Sequence, residues 1–268
     1  MRPVTVITGA SAGIGLELAR EFARHGHALV LVARREGRLR ELAAEIAAMG
    51  APEPVVLPID LALPNAVAWI GNALAMRKIE PEYVVNNAAF GLVGHAAALD
   101  RGEQLAMIDL NMRTLTDLSL AFVESLARHR GGLLNVGSVA GLLPGPGGAV
   151  YYASKAYVVS LTEALHSELR PRGIRVTCLC PGPVPTEFQA RAGVPGDVPP
   201  PPFAQSPARV ARVGYRALMQ GRRMVVPGLA MQIVAALAPR VAPRSLLLAA
   251  LDHRASQRAG KVGIESAT

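Results

Sequence analysis

The sequence predicts one doubly wound α/β domain, with a seven-stranded parallel sheet and helices on both faces. Two observations carry that reading. Seven short runs are apolar on both faces, as parallel strands sandwiched between helix layers have to be. Between them lie stretches with apolar residues at three- and four-residue spacing, and this alternation implies right-handed βαβ crossovers. The 268 residues suit one large domain, and no repeat or linker divides them.

The strands are expected at 4–8 (VTVIT), 28–33 (ALVLVA), 54–58 (PVVLP), 83–86 (YVVN), 133–137 (LLNVG), 175–180 (RVTCLC) and 223–227 (RMVVP). Helices are expected from Leu16 to His25, from Glu36 to Met49, across 103–129 and across 151–170. In the second, Leu39, Leu42, Ile46 and Met49 form the buried stripe; in the last, Val158, Leu161, Leu165 and Leu169 do. Two segments break the rhythm. Residues 191–206 (RAGVPGDVPPPPFAQS) hold too much proline and glycine for regular structure. Residues 227–251 are apolar, and Pro239 and Pro243 should split them into two short helices. The longest uncharged run there, Met224 to Pro239, is too short for a membrane span of about 20 residues. This tail is therefore expected against protein rather than lipid.

Composition narrows the partners. The net charge of +8 could attract nucleic acid, but the arginines are dispersed among acids, as in RREGRLRELAAEI, and aromatics are only 4%. No nucleic-acid partner is expected. The two cysteines, Cys178 and Cys180, fit no zinc pattern, and the scattered histidines form no metal motif, so no metal is expected. MRPVTVITGA enters a strand at once, without a signal peptide, which with few cysteines implies a cytoplasmic location.

The chemistry is concentrated in three places. Gly9, Gly13 and Gly15 stand at the turn from the first strand into the first helix, where a tight backbone and a helix N-terminus suit a pyrophosphate, as in Rossmann-type folds. At the end of the second strand, NAD users often carry an acid; here the chain reads Ala33, Arg34, Arg35, which favours the 2′-phosphate of NADP(H). In YYASKAYVVS, only Tyr151 has a lysine four residues on, so only its hydroxyl shares a helix face with an ammonium. Lys155 should lower the phenol pKa and fit Tyr151 for proton exchange. Tyr152 and Tyr157 point to other faces and read as packing residues.

These motifs resemble the short-chain dehydrogenase/reductase family from residue 4 to about 190. The likeness rests on TGASAGIG (8–15), Asp60-Leu61, NNAA (86–89), Asn111, Ser138, Tyr151-x-x-x-Lys155 and PGPVPT (181–186), in that order. Within the family the chain is most similar to a bacterial DltE-like subgroup of undefined substrate. The resemblance implies that Tyr151 is the general acid, that Ser138 holds the same carbonyl oxygen, that Lys155 tunes Tyr151 and binds the nicotinamide ribose, and that Asn111 positions a relay water. It also implies cofactor contacts from Gly9, Ser11, Gly13, Ile14, Gly15, Arg34, Arg35, Asp60, Leu61, Asn87, Ala88, Pro181, Gly182, Val184 and Thr186, besides Tyr151 and Lys155. Ala89 departs from the family's usual glycine and adds a methyl near the cofactor. A homodimer or homotetramer is expected, with a lid at about 187–206 and an apolar C-terminal extension at about 228–251. The implied activity is an NADP(H)-dependent exchange between a small carbonyl substrate and its alcohol. A 3-oxoacyl thioester reductase and a non-catalytic NADP-binding regulator are the alternatives.

The arginine pair generates a prediction. NADPH should be preferred over NADH, because each charge-assisted bond to the 2′-phosphate contributes roughly 1.5–3 kcal/mol before screening. Replacing Arg34 and Arg35 by uncharged residues should raise the KM for NADPH and leave that for NADH nearly unchanged. Equal use of both cofactors by the wild type would contradict it.

Overall fold

The computed structural model describes residues 1–193, 199–200, 202–241, 245, 248–249 and 251–252. Seven parallel strands form one sheet: β1 (Arg2–Thr8), β2 (Leu29–Ala33), β3 (Val55–Pro58), β4 (Ile79–Asn86), β5 (Gly132–Val136), β6 (Arg175–Leu179) and β7 (Met224–Val225). Their order is β3-β2-β1-β4-β5-β6-β7, so the chain winds outward in both directions from the β1–β4 junction. All seven expected strands are present. β4 is longer than expected because Ile79 to Pro81 also pair along β1, with Glu82 at a register shift before Tyr83.

Alternate residues of each strand point to opposite faces, and both faces are covered. Ile7, Leu31, Val85 and Leu134 pack under α1 (Gly13–Arg24), α2 (Glu36–Ala48) and α9 (Pro207–Met219), where they meet Leu18, Phe22, Leu39, Ile46 and Leu218. Their neighbours Val6 and Val30 face the other way, toward Ile70 and Leu74 of α3 (Ala66–Met76) and Leu118 of α5 (Leu115–Ala121). Val84 and Leu133 meet Leu126 of α6 (Val123–Arg128) and Leu165 of α7 (Ala149–Leu169). This double burial is why the strands read as unbroken apolar runs.

The helix expected across 103–129 is divided. α4 (Arg101–Ile108) passes into a π-helical turn, Asp109–Thr114, before α5 and α6 follow. Such a turn inserts one residue into the hydrogen-bond ladder and is common at functional sites; here it carries Asn111. Three helices were not expected from the sequence: α3, the short α8 (Phe188–Arg191) and α9. α3, AVAWIGNALAM, is too uniformly apolar to show a face. α9 had a readable start: Ser206 accepts a hydrogen bond from the Arg209 amide, and Pro207 follows it at the first helical position. After β6 come α8 and then α9; of the expected lid, 194–198 and 201 lie outside the described residues. The tail also differs. α10 (Leu229–Val241) continues through Pro239 rather than breaking before it, while Pro243 lies outside the described residues. A proline inside a helix forfeits one backbone hydrogen bond, and α10 bears that loss.

The carboxyl ends of β1 and β4 are fastened by one hydroxyl. Thr8 Oγ1 donates to Val85 O at 3.1 Å and accepts from the amides of Asn87 at 3.0 Å and Ala88 at 3.1 Å. That exhausts the one donor and two acceptor positions of a hydroxyl. Beneath it, Asn86 Nδ2 donates to Asn135 Oδ1 (2.9 Å) and Ser119 Oγ (3.0 Å), and Asn135 Nδ2 donates to Thr162 Oγ1 (3.0 Å). Thr8→Val keeps the shape and leaves two amides without an acceptor. It should lower unfolding stability by about 2–4 kcal/mol, read as a shift of the urea midpoint at constant slope; a loss below about 0.5 kcal/mol would contradict the lock.

Candidate active site

The strand ends open into a cleft of about 830 Å³, at the carboxyl edge where ligands bind in such sheets. Tyr151 and Lys155 reach it from the first turns of α7, Ser138 from the end of β5, and the glycine turn from the end of β1. Asn111 stands behind them on the π-helical turn.

Lys155 is 3% exposed, and its Nζ donates to Val136 O at 2.9 Å. Burial lowers its pKa from 10.5 to about 8. Tyr151 is half-buried, its ring 5.5 Å from Phe188 and edge-on to Tyr152 at 6.1 Å. Burial pushes its phenol up to about 12, and the Ser138 hydroxyl pulls the other way. This corrects the expectation that Lys155 sets the phenol's pKa. Desolvation prevails, and Ser138 is the group that opposes it. Ser138 Oγ also accepts from the Ala140 amide at 3.1 Å, which caps the 3₁₀ turn Val139–Leu142. Asn111 is 1% exposed; its Nδ2 donates to Phe90 O (2.9 Å) and Ser154 Oγ (3.1 Å), while its Oδ1 accepts from the Phe90 amide (3.2 Å). It thus ties the loop after β4 to α7.

The other end of the cleft is built from backbone. Gly9 and Gly13 have φ of +65° and +57°, and a Cβ on Gly9 would stand 2.7 Å from Asn87 Nδ2. Gly15 packs against the same amide, which donates to Thr8 O (2.9 Å) and Gly9 O (3.3 Å). α1 begins without a side-chain cap and with no acid in its first turn, leaving its amides and positive dipole end uncompensated. Ser11 and Ile14 complete this turn in the cleft wall. A dinucleotide pyrophosphate fits such a cradle.

At the cleft's edge Arg35 donates to Ser11 Oγ (3.2 Å) and Glu187 Oε2 (2.7 Å), and Arg34 is exposed beside it. Asp60 Oδ1 accepts from the Ala62 amide at 3.0 Å, Leu61 is buried, and its carbonyl accepts from Thr114 Oγ1 at 2.9 Å. Ala88 and Ala89 both line the cleft, and the extra methyl of Ala89 is accommodated there. Thr186 lies over Gly13, whose added Cβ would meet its Cγ2 at 3.1 Å. Pro181, Gly182 and Val184 form the adjoining wall, with Pro181 O accepting from the Val139 amide at 3.0 Å. Every site residue expected from the sequence other than Asn111 and Gly15 lines this one cleft, and those two pack directly behind it.

Some participants were not foreseen. Thr8 carried no motif beyond its place in TGASAGIG. Glu187, the counter-charge to Arg35, and Phe188, against Tyr151, come from a segment read only as lid. Tyr157 packs as expected, with its hydroxyl 2.8 Å from Thr116 Oγ1. Tyr152 packs too, over Gly145, but it also lines the cleft, which helical spacing alone did not show. Among the described residues no group of three or more histidine, cysteine, aspartate or glutamate side chains could hold a metal.

A sequence model described as short chain dehydrogenase matches residues 3–194. The chain is 38% identical over 193 residues to sulfoacetaldehyde reductase 2 of Chromohalobacter salexigens, covering 70% of this chain and 75% of that protein. It is 32% identical over 190 residues to the NADP-dependent 3-hydroxy acid dehydrogenase YdfG of Escherichia coli K12, covering 69% and 74%. Its fold is similar to the short-chain dehydrogenase of Sphingobium yanoikuyae solved in complex with NADPH, with a TM-score of 0.78 and 32% identity over 89% of this chain and 93% of that one. It is also similar to the bulky-bulky ketone specific alcohol dehydrogenase of Comamonas testosteroni, with a TM-score of 0.74 and 26% identity over 90% and 95%.

The buried lysine generates a stability prediction. Below pH 8 the native state carries a desolvated ammonium. Between about 8 and the ordinary 10.5 the unfolded chain binds a proton that the native state has released, so stability rises with pH. Across that window wild type should gain about 3 kcal/mol relative to Lys155→Met. Denaturant titrations of both proteins at pH 7.5 to 10.5 measure the difference; a flat or falling difference would contradict the burial.

Proposed function

This chain belongs to the short-chain dehydrogenase family, and on that premise we propose that it transfers a hydride between NADP(H) and a carbonyl or secondary alcohol, with Tyr151 as general acid and base. The observation that supports this most directly is the gathering of Tyr151, Ser138 and Lys155 in one cleft with an uncapped helix N-terminus. Bound in that cradle, NADP(H) supplies the hydride. Tyr151, with its phenol at about 12, keeps its proton throughout the neutral range, which is the state that donates to a carbonyl oxygen. Ser138, whose hydroxyl already acts on the phenol, holds the same oxygen. Lys155 offers a cation at the ribose side of Tyr151. Asn111 Oδ1 has spent one lone pair on Phe90, and its second serves the relay water.

The choice of NADP(H) is supported by the basic end of β2, where Arg34 and Arg35 stand in the place of a ribose-binding carboxylate. The 2′-phosphate would exchange with Glu187 as the partner of Arg35, and both groups are about half exposed, so the exchange costs little. The NADPH complex of the Sphingobium relative agrees with this. Residues 187–206 act as the substrate lid in the same reading, and residues 228–251 as an apolar extension of a single domain. A homodimer or homotetramer in the cytoplasm belongs with it, in keeping with Cys178 and Cys180 being free thiols, their sulfurs 3.5 Å apart. No helix among the described residues is long and apolar enough to cross a membrane. A non-catalytic regulator would have no use for a buried lysine and a proton donor in the same cleft.

The test is a screen of the purified chain with NADPH and NADP⁺ over ketones, aldehydes, 3-oxoacyl thioesters and alcohols, repeated with Tyr151→Phe. The variant should lose 10²–10⁴ in kcat, on the order expected for a positioned proton donor, with NADPH binding by fluorescence unchanged. Tyr152→Phe, which keeps the ring over Gly145, should retain most activity. Near-normal turnover in Tyr151→Phe would overturn the assignment.

A further inference from the structure

α10 lies beyond residues 3–194, the part matched by the family's sequence model, yet it walls the cleft. Met231, Val234 and Ala235, at positions i, i+3 and i+4, share the face that lines it. Met231 is buried, and a Cβ on Gly182 would meet its Cγ at 2.8 Å, so this face lies directly on the PG turn beside the reacting centre. The start of the helix is fixed. Gly228, with φ +86°, fits against Gln205, and Gln232 Nε2 donates to Val226 O at 2.9 Å. Leu142, Leu143 and Tyr152 line the same cleft, and the 3₁₀ turn that carries Leu142 packs against α10. Among the described residues no charged side chain interrupts this part of the lining. The ionisable pair on this side, Arg191 and Glu103, sits at the rim, 4.0 Å apart and half exposed. The polar groups in this part of the lining are the Tyr152 hydroxyl and Gln189, so an ionised substrate body would find no counter-charge along the α10 face.

We propose that α10 is a size gauge for an apolar substrate: the substrate is a ketone or aldehyde with a hydrocarbon body lying along the cleft face of α10 beside the 3₁₀ turn, and Val234 and Ala235 set its length. This rests on the carbonyl-reducing reading above and adds the substrate class to it. The carbonyl is placed by Tyr151 and Ser138, so the body of the molecule extends toward the face of the cleft supplied by the C-terminal helix.

The experiment uses the full chain, NADPH and methyl ketones from 2-butanone to 2-decanone. For wild type, kcat/KM should rise with each methylene until the wall is met. Ala235→Phe should cut kcat/KM for 2-decanone at least tenfold and change that for 2-butanone less than twofold. Val234→Ala should move the optimum to a longer ketone. Ile233→Asn, on the exposed opposite face, should change neither. The inference is overturned if wild-type kcat/KM is indifferent to chain length, or if Ala235→Phe and Val234→Ala affect short and long ketones equally. If no carbonyl is reduced, the catalytic reading fails separately. Saturation-transfer NMR of 2-decanone on the NADP⁺-loaded chain then decides the gauge by itself: binding weakened by Ala235→Phe supports it, and no binding refutes it.

Discussion

The site depends on the meeting of β1 and β4. These two strands carry the glycine turn on one side and the NNAA segment on the other, and the sheet winds away from them in both directions. A parallel ladder cannot by itself hold two diverging loops together, because its hydrogen bonds stop where the strands stop. Thr8 extends the ladder by one side chain. Its hydroxyl takes the first two amides beyond β4, and Asn87 returns two bonds to the carbonyls of Thr8 and Gly9. The turn is therefore held at its base while its tip stays open to a ligand. That separation of a rigid base from an open tip is what lets the cradle be shaped before anything enters it.

The same economy governs the catalytic side. A lysine this deep is tolerable because Val136 O accepts from its Nζ, and the cost of burying its charge shows as a pKa lowered to about 8. The sequence suggested a simpler electrostatic picture, with an ammonium lowering a neighbouring phenol. Spacing along a helix places two groups on one face, but it carries no information about how much water either loses. In the folded protein desolvation acts on both, in opposite directions: the phenol rises and the lysine falls.

What was legible in the sequence follows from how far apart the interacting residues lie. The seven strands could be read because each run is buried on both faces, a property of four to six adjacent residues. Gly9, Gly13, Tyr151 and Lys155 could be read because their meaning is local, a turn or a helix face. The division of the long helix at Asn111 could not, since a π-helical turn depends on Phe90 and Ser154, which lie 21 and 43 positions away. The pairing of Arg35 with Glu187 spans 152 positions and is invisible to any periodicity. The break expected at Pro239 failed for a different reason. A proline removes one backbone hydrogen bond from a helix, and that single loss did not end this one.

The outer strands of the sheet have a consequence for how this protein behaves at high concentration. β3 has four residues and ends in Pro58; β7 has two, and only Val226 separates it from Pro227. A free strand edge recruits foreign strands in proportion to the unpaired amides it presents, and proline presents none. Both margins of this sheet are thus too short and too poor in donors to template a further strand, despite a chain in which 51% of residues are apolar. Growth by strand addition, the route to fibrous aggregates, is disfavoured at both edges of the described sheet.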